Sequence, residues 1–438
     1  MNRIRLLIST FAAVLLMLGG ASAQKAYVTN PDSNSVLVID TSSNTVAATV
    51  PVSPAPVGVA ITPDGSRVYV TDNVSEIVSV IDTSSNTVVA TVPVSILPVG
   101  VAITPDGSRA YVTTVGSNIV WVIDTSTNTV AATVPVGSEP TAVAISPDGS
   151  RAYVTNVLSK SVSVIDTSSN TVEATVGVGT SPSGVAIAPD GTRAYVTNFG
   201  SKNVSVIDTS SNTVEATVGV GSQPGGVAIT PDGSRVYVAN QNDGTVSVID
   251  TSSNTVEATV GVGSSPGGVA ITPDGSRAYV TNFDSNNLSV IDTSSNTVEA
   301  TVGVGSSPSG VAISPRVPFS AFSAQLDISS AGFDLQGKAT LGAGGTINPP
   351  TEPLTLRVGT YTVAVPAGSF TPGPKGTFTF EGTINGVALQ FRIAPLGGNS
   401  YSVQLDASGV DLTGLTNPVT VTLTIGNNVG TTSVNADF

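Results

Sequence analysis

A 42-residue period runs through about two thirds of this chain, and it narrows the possible folds more than any other feature. The aspartates of seven Ile-Asp-Thr triplets, Asp40, Asp82, Asp124, Asp166, Asp208, Asp250 and Asp292, stand 42 residues apart, as do Tyr27, Tyr69, Tyr111, Tyr153, Tyr195, Tyr237 and Tyr279. A period of this size marks a solenoid, a propeller or an array, in which each unit buries its apolar face only against its neighbours.

Each period holds four short runs separated by turn residues. Around Asp208 these are residues 184–187, 193–198, 203–208 and 213–220, with Pro189-Asp190-Gly191 and the Asp208 to Asn212 stretch between them. In the last run Val214, Ala216, Val218 and Val220 alternate with polar residues, as on a half-buried strand. Four antiparallel strands joined by hairpin-length connections make one propeller blade. The ends of the repeat region argue against an open array. The region begins partway through a unit, at Lys25, and ends with a lone first strand near residues 310–313, so the two fragments sum to one blade. Pairing them closes a ring and removes both open edges. The expectation is an all-β, seven-bladed propeller over residues 24–315, with six continuous blades and one composite.

Tyr-Val-Thr-Asn stands verbatim at Tyr27, Tyr153, Tyr195 and Tyr279, with close variants at Tyr69, Tyr111 and Tyr237. With the repeated TPDGSR and IDTSSNTV segments, these residues make the chain resemble the YVTN-family β-propeller repeat proteins, found among bacterial exported and archaeal surface-layer proteins. The resemblance spans residues 25–315 and implies a seven-bladed propeller. It implies no single activity, since propellers host many.

Outside the repeats, Arg3 and Arg5, an apolar run over residues 6–18 and the small residues Ala21, Ser22 and Ala23 read as a signal peptide, residues 1–23. The run is shorter than the ~20 residues that span a bilayer. A secreted protein is expected, in the periplasm, at the cell surface or outside the cell, with no transmembrane segment after cleavage. Past Pro315 the period stops. Alternating runs broken by Gly, Pro and Asn predict a C-terminal β-sandwich-like domain over 316–438. Within it, residues 323–337 echo residues 402–414, and the chain ends on Phe438, read as a core residue.

Composition limits the chemistry. The chain has no Cys and no His, which removes thiolate chemistry and the commonest general base and metal ligand. Net charge is -14, and loss of Arg3 and Arg5 with the signal leaves 14 basic against 30 acidic residues, a net -16 that repels nucleic acid. No cofactor or metal is expected. The seven Asp-Thr-Ser-Ser-Asn turns, with Thr127 as the one variant, resemble calcium loops but lack spaced second and third carboxylates, and Asx-turn chemistry accounts for them. The Gly-Val-Gly-Ser segments precede no helix and make no phosphate loop.

In a propeller the inner-to-second and third-to-outer turns share one face, and here that face hardly changes between blades. It is predicted to carry a cross-strand pair in each blade: Lys25 with Asp40, Arg67 with Asp82, Arg109 with Asp124, Arg151 with Asp166, Arg193 with Asp208, Arg235 with Asp250, and Arg277 with Asp292. On the opposite face the second-to-third loops read PDSN, NVSE, VGSN, VLSK, FGSK, QNDG and FDSN. Function tends to sit on variable loops over a rigid scaffold. Leu158, Lys160, Phe199, Lys202, Asp243, Phe283 and Asp284 are therefore the candidate binding residues, the alternative for each Phe being packing onto its own blade. Trp121 is read as local packing. The sequence favours a binding scaffold for a protein or envelope polysaccharide, with the C-terminal domain attaching it or holding a second partner. The alternatives are a propeller enzyme resembling lactonases or quinoprotein dehydrogenases, and a purely structural envelope component.

Overall fold

Runs of Val, Ile, Thr and Tyr punctuated by Pro-Asp-Gly and Asp-Thr-Ser-Ser-Asn have a single economical outcome, short antiparallel strands with tight turns. The computed structural model describes residues 24–438 except 316, 330–331, 342–353, 360, 367–368, 385, 398–399, 411–414, 416–417, 426–427, 435 and 437–438. The expected signal peptide and Phe438 lie outside the described residues.

Seven four-stranded antiparallel sheets form the ring. In the fifth blade the inner, second, third and outer strands are Pro182–Ile187, Arg193–Asn198, Asn203–Asp208 and Thr213–Gly219. The first blade is composite. Its inner strand, Val311–Ile313, pairs with Lys25–Asn30, which continues into Ser35–Asp40 and Thr45–Pro51. Backbone bonds between Thr29 and Gly310, Ser309 and Thr29, and Ser314 and Lys25 complete the closure.

The outer strand departs from the expected clean alternation. A bulge sets Val206 opposite Ala216 but Ile207 opposite Val214, leaving Glu215 unpaired in the ladder. The extra residue resets the side-chain phase, so Val218 is buried whereas Val214 is exposed. The same bulge recurs in the outer strands of the other blades.

Apolar side chains gather between blades, not within one centre. Tyr27, Val36, Val38 and Val50 of the first blade pack on Val68, Val70 and Ile81 of the second, and each of the seven junctions has such a cluster. Trp121 packs against the cluster between the second and third blades. Around the axis the inner strands approach backbone to backbone. A Cβ at Gly58 would stand 2.1 Å from the Val99 carbonyl oxygen, and one at Gly226 2.3 Å from that of Gly267. At these two positions only glycine permits that spacing, whereas the fourth blade carries Ala142 at the equivalent place.

Past the ring, ten strands form one hydrogen-bonded series folded into two layers. Val317–Ser329 links them: Val317 and Pro318 run parallel to Asn428–Val434, and the remainder pairs with Gly332–Leu341. One core draws Leu356, Val363, Val421 and Leu423 from one layer and Leu335, Phe391, Val403 and Leu405 from the other, the arrangement of a β-sandwich. The internal sequence echo has a structural reason. Gln325-Leu326-Asp327 and Gln404-Leu405-Asp406 flank the antiparallel Asp334-Leu335-Gln336, which sets like residues opposite one another across three strands.

Candidate functional site

The two faces of the ring are built by different rules. On the unvarying face every aspartate of the Ile-Asp-Thr triplets closes an Asx turn. Asp208 Oδ1 accepts the backbone N–H groups of Ser210 (3.0 Å) and Ser211 (2.8 Å) and both hydroxyls. These bonds hold the carboxyls of Asp166, Asp208, Asp250 and Asp292 down at about 2. In each carboxylate it is Oδ1 that receives these turn bonds. Among the described residues no group of three or more Asp and Glu is placed to hold a metal ion.

Strand register sets each second-strand base opposite its predicted aspartate. The ion pairs are nevertheless mostly different from those expected. Arg67 meets Asp82 at 2.5 Å, but Arg151, Arg193, Arg235 and Arg277 turn to Glu173, Glu215, Glu257 and Glu299 at 2.5–2.6 Å. Those glutamates occupy the bulge of the outer strand, which lifts them toward the guanidinium. In the blades of Arg67 and Arg109 the same position is Val89 and Ala131, so no such partner exists. Asp82 keeps its turn through Oδ1 and meets Arg67 through Oδ2, so it is the glutamate at the bulge that draws the other four arginines away; among the described residues Lys25 with Asp40 and Arg109 with Asp124 form no ion pair.

The same face also ties blade to blade. Arg109, Arg151, Arg193, Arg235 and Arg277 each donate to the carbonyl of the threonine after the aspartate in the next blade. The hydroxyls of Tyr69, Tyr111, Tyr237 and Tyr279 donate to Asn128, Asn170, Asn296 and Asn44, each in the following blade, at 2.7–2.8 Å. Burial pushes Tyr69 and Tyr237 up to about 12 and keeps them as donors. Clefts of about 290 and 360 Å³ open between blades here, and the second is lined by Asp190, Arg193 and Asp232. Its guanidinium is already bound to Glu215 and to Thr251.

On the variable face the backbone repeats and the side chains do not. The fourth residue of each second-to-third loop is left-handed: Asn34, Glu76, Asn118, Lys160, Lys202, Gly244 and Asn286, with φ between 49° and 63°. The residue before each inner-strand proline is left-handed as well, among them Ala55, Leu97 and Glu139. Asn and Gly suit this conformation best. Glu, Lys and Leu gain nothing locally from it.

The seven predicted site residues all lie on this face. Leu158, Lys160, Lys202, Asp243, Phe283 and Asp284 are exposed, whereas Phe199 is half-buried against its blade. Phe199 and Phe283 thus differ although they hold equivalent positions. Asp243 accepts the Ser222 N–H at 2.6 Å and Asp284 the Ser265 hydroxyl, so both also brace the neighbouring loop. The structure spreads these residues over four blades rather than gathering them into one pocket.

A ring at the channel mouth escaped the sequence reading. Val57, Val99, Thr141, Ser183, Gly225, Gly267 and Ser309 follow the inner-strand prolines. Six of their carbonyls accept a hydroxyl from the preceding blade, as in Thr197 to Gly225 at 2.7 Å. The seventh link is missing because Ala239 stands where the donor threonine is due. Beneath this face Asp72 replaces the buried Asn of five other blades. It accepts the Ser79 hydroxyl at 2.5 Å, and burial pushes its carboxyl up to about 7.

In the C-terminal domain a groove of about 700 Å³ crosses the row Asp327, Asp334, Asp406, Gln390 and Glu381. Burial and the neighbouring Asp406 raise the Asp334 carboxyl.

Comparison with known proteins follows this architecture. The family described as "Lactonase, 7-bladed beta-propeller" matches residues 100–260. No curated protein matches the chain. Among solved structures, Kuenenia stuttgartiensis hydrazine synthase is similar over 61% of this chain and 92% of its own, at 27% identity and a TM-score of 0.57. A functionally unknown protein from Desulfotomaculum acetoxidans aligns over 66% of this chain and 99% of its own, at 22% identity and a TM-score of 0.59. Dihydro-heme d1 dehydrogenase NirN in complex with DHE aligns over 66% and 74%, at 17% identity and a TM-score of 0.53. The last two likenesses are of fold alone, and together with the blades described above these findings make the chain a seven-bladed β-propeller protein with a separate C-terminal β-domain.

Proposed function

We propose that this chain is an exported binding scaffold. The ring presents Phe199, Lys202, Asp243, Phe283 and Asp284 to a protein or envelope polysaccharide, and the C-terminal domain attaches it or holds a second partner. The observation that carries this reading is the variable face, where one backbone conformation displays Asn, Glu, Lys or Gly from blade to blade. Loop chemistry that varies over a fixed scaffold is the usual form of a recognition surface. The test immobilises the chain from Gln24 onward and a variant carrying Phe199→Ser, Lys202→Ser, Asp243→Ser and Phe283→Ser. Both are exposed to solubilised envelope proteins and to envelope polysaccharide. Retention that the variant loses supports the scaffold. Equal retention by both, or none by either, overturns it.

A second reading, a propeller enzyme acting on lactones, is favoured by the family match over residues 100–260. Against it, the inner strands carry no ionisable side chain that would supply a base at the axis. Hydrolysis of a lactone panel, lost on replacing Thr141 and Ser183 at the channel mouth, would support the enzyme.

A further inference from the structure

Apart from Phe283 of the seventh blade, the large apolar side chains exposed on the variable face cluster in one part of the ring. Val74 of the second blade, Ile96 and Leu97 of the third, and Leu158 of the fourth form an arc over three consecutive blades, and Val74 and Leu158 are 68% and 63% exposed. Contacts connect them. Asn73 donates to the Pro98 carbonyl, Ile96 lies over Gly116, Asn118 accepts the Glu139 N–H, and the backbone of Leu158 bonds to Ser138. Leu97 adopts φ 56°, where a γ-branched side chain gains nothing from its own backbone.

The ends of the arc carry opposite charges at equivalent places. Val74 and Leu158 are each the second residue of their loop, and Glu76 and Lys160 each the fourth, with φ of 57° and 53°. Neither Glu76 nor Lys160 is in an ion pair among the described residues. Rotating a copy of the ring by 180° about an in-plane axis through the third blade turns the variable faces toward each other. It also sets the second blade of one copy over the fourth of the other. Val74 then meets Leu158, Glu76 meets Lys160, and Leu97 meets its own counterpart. Glu139 falls opposite Ala55, so it meets no like charge from the equivalent loop position. An isologous interface requires this self-complementarity.

We infer that the arc over the second to fourth blades is the interface of a two-fold homodimer, occupied by a second copy of this chain. With the two ring planes inclined to the two-fold axis, contact is confined to the second to fourth blades, the sector with Phe199, Lys202, Asp243 and Phe283 stays open, and the pairing does not depend on the proposed scaffold function. Both chain ends of the ring, Gln24 and Ser314, emerge on the other face, where Gln24 bonds to Ser314 and Thr41.

Sedimentation equilibrium of the chain from Gln24 onward is expected to give twice the monomer mass. Glu76→Lys or Lys160→Glu alone replaces two attractive pairs by two repulsive ones and should weaken association on the order of tenfold or more. The double variant Glu76→Lys/Lys160→Glu restores the pairs and should dimerise like the original. Because the chain has no cysteine, Leu97→Cys provides an independent probe. It should form an intermolecular disulfide under mild oxidation, whereas Phe283→Cys, equally exposed at 42%, should not. A monomer at tens of micromolar, a dimer indifferent to both single reversals, a double variant that fails to recover, or equal cross-linking at Leu97 and Phe283 would each overturn the inference. Unchanged melting of every variant separates lost association from lost folding.

Discussion

The two faces of the ring share one set of strands and differ in what their turns are bonded to. On the unvarying face the repeated polar groups are bonded locally or to the next blade: aspartate to serine, arginine to a neighbouring carbonyl, and four of the seven tyrosines to asparagine. On the variable face the backbone is braced in the same repeating way, but Val74, Leu97, Leu158 and Phe283 point to solvent. Constancy therefore follows from bonding across blade junctions, where one change disturbs two blades. Variation is tolerated where a side chain answers to nothing else in the ring.

The largest effect should come from removing what both faces depend on. Deleting residues 308–315 takes away Val311–Ile313 and its bonds to Lys25–Asn30, a loss of several kcal/mol at ~1 kcal/mol per hydrogen bond. The cooperative melting of the ring should collapse, and an unchanged calorimetric transition would defeat the closed ring. Gly58→Ala comes next. Its Cβ would be forced against the Val99 carbonyl, so chemical denaturation should show a loss of roughly 1–3 kcal/mol.

Asp72 tests the comparison by pH. Its carboxyl titrates at about 7 in the folded ring and near 3.9 in the unfolded chain, so the folded state binds the extra proton between those values. Stability should fall as pH rises through that window, by up to ~1.4 kcal/mol per pH unit. Asp72→Asn should abolish the slope, as seen in melting temperatures from pH 4 to 8. A smaller, constructive effect is expected of Ala239→Thr, which should add the missing hydroxyl link to Gly267 and stabilise by ~1 kcal/mol. Thr197→Ala should lose a similar amount. Phe283→Ser should move stability by less than ~0.5 kcal/mol. A large loss there would mean that the variable face is as structural as the other.

Much of the ring was legible because its period and phase are properties of the text. Tyr27 to Tyr279 count the blades, and the lone strand before Pro315 names its partner. What alternation could not reveal was the bulge. Reading Val214 and Val218 on one face hid Glu215, and with it the true partner of Arg193. A glutamate 22 residues after the arginine in four blades, absent where Arg67 keeps Asp82, was the available signal. The Tyr-to-Asn links were hidden because their partners lie in the next repeat. Of the predicted rim, exposure was foreseeable from loop position, but Phe199 and Phe283 could not be told apart without their neighbours.

The three-residue strand Val311–Ile313 has a consequence in time. Its partner Lys25–Asn30 is made some 285 residues earlier, so a growing chain can stack the intervening blades while its first blade still lacks an inner strand. Until the last repeat is available, Lys25–Asn30 is a bare edge able to pair with any passing strand, its own or another chain's. The interval between the first and last strands of the ring is thus its period of greatest vulnerability to misassembly, and its length is set by the number of blades.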